Sequence, residues 1–358
     1  MDYALYRNSL GIALTLMLFF ACYFFVAKTP DAPIFGNYKR SRRIMGVALL
    51  VLSANYSVHL CAGLRFYSKE AAIWMNLSTY FLSYWLFSAA LITLLDRFYI
   101  TLRRFVRNMV YWLAFTAIGG FLVCFCPQGT MLHMGILGLA AWLFAYGIYL
   151  SRRIIKTYHQ AEQLFDDTHS EDIAAYIRWM SIFTWWAVIY GVSCGVLTFL
   201  PDKFVFLWIL SSVPFYIYLY CSYMNYLLFY EQVETILETA ELADEKDLPP
   251  YYSEIEEKLS DWVAHDGFTS PGITIEDFAD QLGSNRTYLS AYIKEVFGCS
   301  FRKWIADLRI EYAKRLLADN PKLSVAEVCK STGFLSKSYF VKIFTEREGV
   351  PPSKWRKQ

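Results

Sequence analysis

SVAEVCKSTGFLSKSYFVKIFTEREG, residues 324–349, decides how the C-terminal part of the chain is built. Ser324 with Glu327 three residues later has the pattern of a capping box. In that motif the hydroxyl accepts from the N3 amide and the glutamate accepts from the N-cap amide. Val325 and Val328 begin a short helix that Gly333 breaks, and Ser336 stands where a second helix can be capped. Tyr339, Phe340, Ile343 and Phe344 give that helix one buried face, and Gly349 closes it. The sequence therefore reads as helix, tight turn, helix.

Working towards the N-terminus, the same plan occurs again. Thr274 is an N-cap residue with Glu276 and Asp277 in the first turn, and Phe278, Ala279 and Leu282 follow at helical spacing before Gly283. A new helix is expected from about Ser284-Asn285, with Leu289, Ile293 and Phe297 buried and Gly298 at its end. Between the two pairs runs a helix over about 301–318, with Trp304, Leu308, Ala313, Leu316 and Leu317 inward. Ile255, Leu259, Trp262 and Val263 mark one more helix ahead of them.

The charge is unevenly distributed. Residues 284–358 carry 15 bases and seven acids, net +8, while residues 231–283 carry 15 acids and two bases, net −13. Over the whole chain the net is only +2, with 56% hydrophobic and 18% charged residues. A single soluble globule and a disordered chain are both excluded, since a soluble domain is nearer a quarter charged. Such block asymmetry points to a membrane or nucleic-acid partner.

The apolar residues are concentrated in the first 230. Seven runs, at about 8–27, 44–64, 73–95, 109–126, 131–150, 178–200 and 204–229, hold no Asp, Glu or Lys. Each is near the roughly 20 residues that cross a bilayer. The first is not a signal peptide: it follows a weakly basic n-region and lacks a small-residue cleavage site. Thirteen Lys and Arg flank the runs on one side and four on the other, which places the N-terminus outside and the C-terminus in the cytoplasm. The expected fold is all-α: a seven-transmembrane helical bundle (1–230), an acidic helical linker (231–250) and a cytoplasmic domain (251–358) with two helix-turn-helix units joined by a linker helix.

Coupled carriers keep carboxylates at membrane depth, and these runs have none. The polar residues there are Asn55 and His59, one turn apart, with Asn76, Trp74 and His133 expected at the same level. They form a candidate pocket for a small ligand, against the alternative of hydrogen bonding between spans. Pro214, after Ser211-Ser212, is a candidate hinge in the last span. Tyr230, Val233, Leu237, Ala240 and Asp244 continue a 3–4 spacing, from which a homodimer through the 230–244 helix is a further expectation. Pro249-Pro250 ends that helix. Eight cysteines show no CxxC pair, and there is no phosphate loop, HExxH or Ser/His/Asp grouping. No cofactor, metal or enzymatic activity is implied.

Residues 252–356 resemble the DNA-binding domain of the AraC/XylS family. The resemblance rests on Leu308-Arg309, Ala313, Leu316-Leu317, Val325, Val328, Gly333-Phe334, Ser338-Tyr339-Phe340, Lys342, Phe344, Gly349, Pro352-Ser353 and Arg356. The first unit matches at Leu282-Gly283, Leu289-Ser290, Lys294 and Gly298, and departs at Ala291. It implies a bacterial regulator that puts one helix of each unit into a major groove of double-stranded DNA. On that likeness the reading positions are Asn285, Arg286, Thr287 and Ser290 in the first unit and Ser336, Lys337, Ser338 and Val341 in the second. Arg286 suits guanine, while Lys294 and Lys342 suit phosphates. Arg309 is implied to be a structural donor between helices. The whole then reads as a one-component transcription regulator in the bacterial inner membrane, responding to an unknown small-molecule or membrane signal. The alternative is a transport or intramembrane enzyme module with a regulatory DNA-binding appendage.

Overall fold

The computed structural model describes residues 3–197, 204–243, 253–320 and 322–356. Asp244, Pro249-Pro250 and the ends of the 178–200 run and the 231–250 linker lie outside the described residues. The described elements are helical, with a lone antiparallel bridge between His169 and Thr274. Two compact units divide the chain: residues 1–158 with 177–234, and residues 159–176 with 235–358. The connection 159–176 thus groups with the C-terminal residues rather than with the helices on either side of it.

The first unit contains α1 (Tyr3–Val26), α2 (Gly36–Ala62), the short α3 (Leu64–Tyr67), α4 (Lys69–Thr93), α5 (Leu102–Phe125), most of α6 (Thr130–Thr168), α7 (Arg178–Leu197), α8 (Val205–Tyr226) and the start of α9 (Tyr230–Ala243). Among the described residues five helical stretches are long and apolar enough to cross a membrane: Ala4–Val26, Pro33–Ala62, Leu102–Phe125, Thr130–Thr168 and Val205–Tyr226. Seven were expected. The third run is α4, whose Asn76, Ser78, Thr79, Ser83 and Ser88 dilute its apolar character, and the sixth is α7, whose run ends outside the described residues.

Helix α2 packs between α1 and α4, α5 packs on α4, and α8 packs on α1 and α7. Aromatic rings fill the α4–α5–α6 contact, with Phe81 stacked on Phe115 and on Tyr146 at centroid distances of 4.7 and 4.2 Å. Hydroxyls cross the bundle in a relay. Tyr223 on α8 donates to Ser41 Oγ on α2 at 2.6 Å, and Ser41 donates to the Ala90 carbonyl on α4 at 2.5 Å. In an apolar interior each such group needs a partner, so the relay fixes which helices face each other. Outward-facing residues are large and apolar, among them Phe19, Val110, Leu113, Phe121, Met134, Trp142 and Ile217. Pro214 lies inside α8, which runs through it without a break.

On α9, Tyr230, Val233 and Leu237 are buried within the chain, which covers the first part of the seam expected to meet a second copy; the side chains of Ala240 and Asp244 lie outside the described residues. Glu234 beside them is 1% exposed and accepts from Arg97 Nε at 2.7 Å.

The second unit holds α10 (Ser253–Ala264), α11 (Ile275–Leu282), α12 (Arg286–Phe297), α13 (Phe301–Asp319), α14 (Val325–Ser331), α15 (Lys337–Glu348) and α16 (Pro352–Trp355). Local chemistry sets their ends. Thr274 with Asp277 and Ser324 with Glu327 form complete capping boxes at α11 and α14. Asn285, Ser300 and Ser336 each cap the following helix by accepting an amide hydrogen. Two apolar cores result, and α13 belongs to both. Phe301, Trp304 and Ile305 join α10, α11 and α12 in one, while Ile310, Ala313 and Leu317 join α14 and α15 in the other. Leu308 and Leu316 are only partly buried at the edges of these cores. Phe297 is a correction: it is 42% exposed, because it sits on the last turn of α12, where it touches the Trp304 and Tyr292 rings at 5.5 and 6.3 Å and is otherwise left open.

Candidate functional site

Helices α11 and α12 form one pair around the turn Gly283–Asn285, and α14 and α15 form another around Thr332–Ser336. In the second helix of each pair the first turn is capped by a side chain singled out for DNA. Asn285 Oδ1 accepts from the Tyr288 amide at 2.9 Å, and Ser336 Oγ accepts from the Tyr339 amide at 3.3 Å. Thr287 and Ser290 are half-buried; Lys337, Ser338 and Lys342 are exposed, with Val341 half-buried beside them. Lys342 lies 3.9 Å from Glu346 one turn on.

Arg286 differs from its expected state. Its guanidinium is 14% exposed and bonded to Glu276 on α11 at 2.8 Å, so the pair must open before Arg286 can meet a base edge. Lys294 is bonded to Asp167 of the 159–176 connection.

Arg309 is wholly buried on α13. Its Nε donates to the Phe268 carbonyl and one terminal nitrogen to the Ser270 carbonyl, both at 2.8 Å. The other terminal nitrogen meets Glu171 at 3.2 Å, and the guanidinium lies 5.4 Å over the Phe334 ring. It joins the segment before α11 to the turn before α15, which makes it a structural donor. Gly333 completes that junction: at φ +84° it lies so close to Thr269 that a Cβ would stand 2.3 Å from the Thr269 carbonyl oxygen.

The connection supplies charges that the sequence reading passed over. Arg302 at the start of α13 donates to Asp172 at 2.8 Å, forms an ion pair with Asp166 across 3.2 Å, and lies 6.0 Å over the Tyr339 ring of α15. Burial pushes the Asp166 carboxyl up to about 6, against the pull of Arg302. Burial raises Glu171 as well, offset by Arg309.

In the first unit, Asn55, His59 and Asn76 line one small cavity with Tyr6 and Arg65. His59 Nε2 lies 2.8 Å from Asn76 Oδ1, and Asn55 donates to Thr79 Oγ1 at 3.0 Å. Trp74 and His133 are not part of it: Trp74 donates to the Thr116 carbonyl at 3.0 Å, and exposed His133 turns back on the Gly129 carbonyl at 2.8 Å. A larger, mostly apolar cavity of about 110 Å³ lies between α2, α4, α6, α7 and α8, lined by Leu52, Tyr84, Phe87, Phe183 and Phe215 among others. Ser83 and Ser88 also line it, each nearly fully buried and with its hydroxyl unpartnered. The Ser and aromatic content of α4 was the available sequence signal for it.

Residues 278–358 match the family model described as "Helix-turn-helix domain". The C-terminal region carries an AraC-type helix-turn-helix domain. It is similar to the Msm operon regulatory protein of Streptococcus mutans, 33% identical over 27% of this chain and 34% of that protein. It is similar also to the virulence regulon transcriptional activator VirF of Yersinia enterocolitica, 36% identical over 24% of this chain and 31% of the relative. The HTH-type transcriptional regulator ExsA of Pseudomonas aeruginosa is 35% identical over 23% of this chain and 29% of its own. The chain thus spans about a third of the length of these relatives. No solved structure matches the chain.

Proposed function

We propose that this protein is a membrane-embedded one-component transcription regulator. Seven helices cross the bacterial inner membrane with the N-terminus outside, and the helix-turn-helix domain reads DNA from the cytoplasmic face. What carries this is the union in one chain of a domain shared with transcription regulators and bilayer-length helices whose outer faces are apolar. A continuous apolar outer surface suits lipid. The α12 and α15 helices are the reading elements, with Arg286 and Lys337 at their first turns and Lys294 and Lys342 on phosphates. Two pairs sharing one α13 suit successive major grooves about one turn, roughly 34 Å, apart. The signal enters through the first unit, at the Asn55–His59–Asn76 cavity or the apolar one behind it. A homodimer through α9 would require Tyr230, Val233 and Leu237 to leave their places within the chain.

Chromatin immunoprecipitation of the full-length protein, compared with transcript changes in a deletion strain, tests the reading. Bound promoters that coincide with altered transcripts support it, and absence of bound sites refutes it. Phosphatase fused after Gly129 should be active outside and after Lys156 inactive; the reverse pattern would overturn the orientation. Arg286→Ala should cost about 1–3 kcal/mol at its own base position and spare the rest of the site.

A further inference from the structure

The connection 159–176 carries five acids, Glu162, Asp166, Asp167, Glu171 and Asp172, and no Lys or Arg. Four of the five are paired with cations of the helix-turn-helix region: Asp167 with Lys294, Asp166 and Asp172 with Arg302, and Glu171 with Arg309. The segment is also seated by its backbone, with the Ser170 amide donating to the Ile273 carbonyl at 3.3 Å and His169 bridged to Thr274. Asp166 and Asp167 lie in the last turn of α6. Carboxylates there oppose the helix dipole, so their position depends on cations supplied from elsewhere.

The acids serve two ends. Glu171 meets a wholly buried guanidinium that no phosphate can reach, so it anchors. The three aspartates meet cations that remain partly open, with Lys294 55% and Arg302 22% exposed. Lys294 lies on the first reading helix, and Arg302 lies over a ring of the second. Carboxylate and phosphate are alternative partners for one cation, and phosphate neutralisation dominates DNA affinity.

We propose that Asp166, Asp167 and Asp172 form a DNA-competing surface, which occupies the phosphate-binding cations Lys294 and Arg302 until duplex DNA displaces it. The proposal rests on the DNA-binding reading and adds the regulation of that site. Because the connection is the covalent link between α6 and α7, a change at either helix end alters how firmly the aspartates sit.

The test uses the full chain in lipid nanodiscs and a fluorescein-labelled 30-bp duplex of random sequence. Asp166→Asn/Asp167→Asn/Asp172→Asn should bind it about tenfold more tightly, with a salt dependence steeper by about one unit per freed cation. Glu256→Gln/Glu257→Gln/Asp261→Asn, on the exposed face of α10, changes net charge equally and should leave affinity near wild type. Equal tightening in both variants, or none in the first, overturns the proposal while DNA binding stands. No binding by any form, wild type included, refutes the DNA-binding reading itself, and the proposal with it. Hydrogen exchange on the wild type needs no variant: saturating duplex should speed exchange across 163–172, and unchanged or slower exchange overturns the proposal.

Discussion

Replacing Arg309 by Ala removes three hydrogen bonds from the middle of the second unit. Two of the acceptors, the carbonyls of Phe268 and Ser270, then have no donor from α13. A buried acceptor left without its partner costs about 1–3 kcal/mol, so the two together cost about 2–6 kcal/mol. Glu171 retains some solvent and adds less. Breaking a buried ion pair by deleting one partner falls in the same range, about 3–5 kcal/mol. A loss of about 4 kcal/mol is close to a thousandfold change in an opening equilibrium. Hydrogen exchange of α13 amides in nanodisc-embedded protein reads that equilibrium directly. Arg309→Ala should therefore accelerate exchange on α13 by about a thousandfold. Arg309→Lys, which keeps the charge but cannot reach all three acceptors from one ammonium, should fall between. An acceleration below about tenfold for Arg309→Ala, or full restoration by lysine, would refute the view that the guanidinium joins the two helical pairs.

Gly333→Ala should destabilise the second unit by at least about 1–3 kcal/mol, because a left-handed backbone position and a Cβ overlapping the Thr269 carbonyl act together; a thermal melt equal to wild type would contradict this. Asp166 has a folded pKa of about 6, raised from 3.8, so its protonated form favours the folded state, fully below the unfolded value and progressively less as pH rises through 6. Asp166→Asn should match wild type in melting temperature near pH 4 and exceed it at pH 7. Arg97→Ala removes the guanidinium that meets buried Glu234 at 2.7 Å and should destabilise the first unit by about 3–5 kcal/mol, seen as early melting on size-exclusion chromatography.

What could be read from the sequence was local. Thr274, Ser324 and Ser336 act within three residues of themselves, so helix starts in the second unit follow from spacing. The length and charge depletion of the apolar runs likewise marked their helices, α4 included, although Asn76 and its serines lower its apolar character. Partners far apart in sequence were out of reach. Arg286 has the residue type and place of a base reader, but Glu276 across the turn holds it. The acids of 159–176 carry no periodic signal, and the cations they meet lie 127 to 138 residues onward. Trp74 and His133 were grouped with Asn55 by depth alone. Depth does not fix the rotational position of a side chain on its helix, and each found a backbone carbonyl instead.

The second unit is discontinuous in the chain, and this bears on its biosynthesis. Glu171 leaves the ribosome 138 residues ahead of Arg309. At about 5–20 residues per second, the anchor waits roughly 7–28 s for its guanidinium. Within that interval α7 and α8 must both be made. The second unit can then be completed only on a nascent chain whose α7 and α8 have already been synthesised, so its folding waits on the apolar helices that interrupt it.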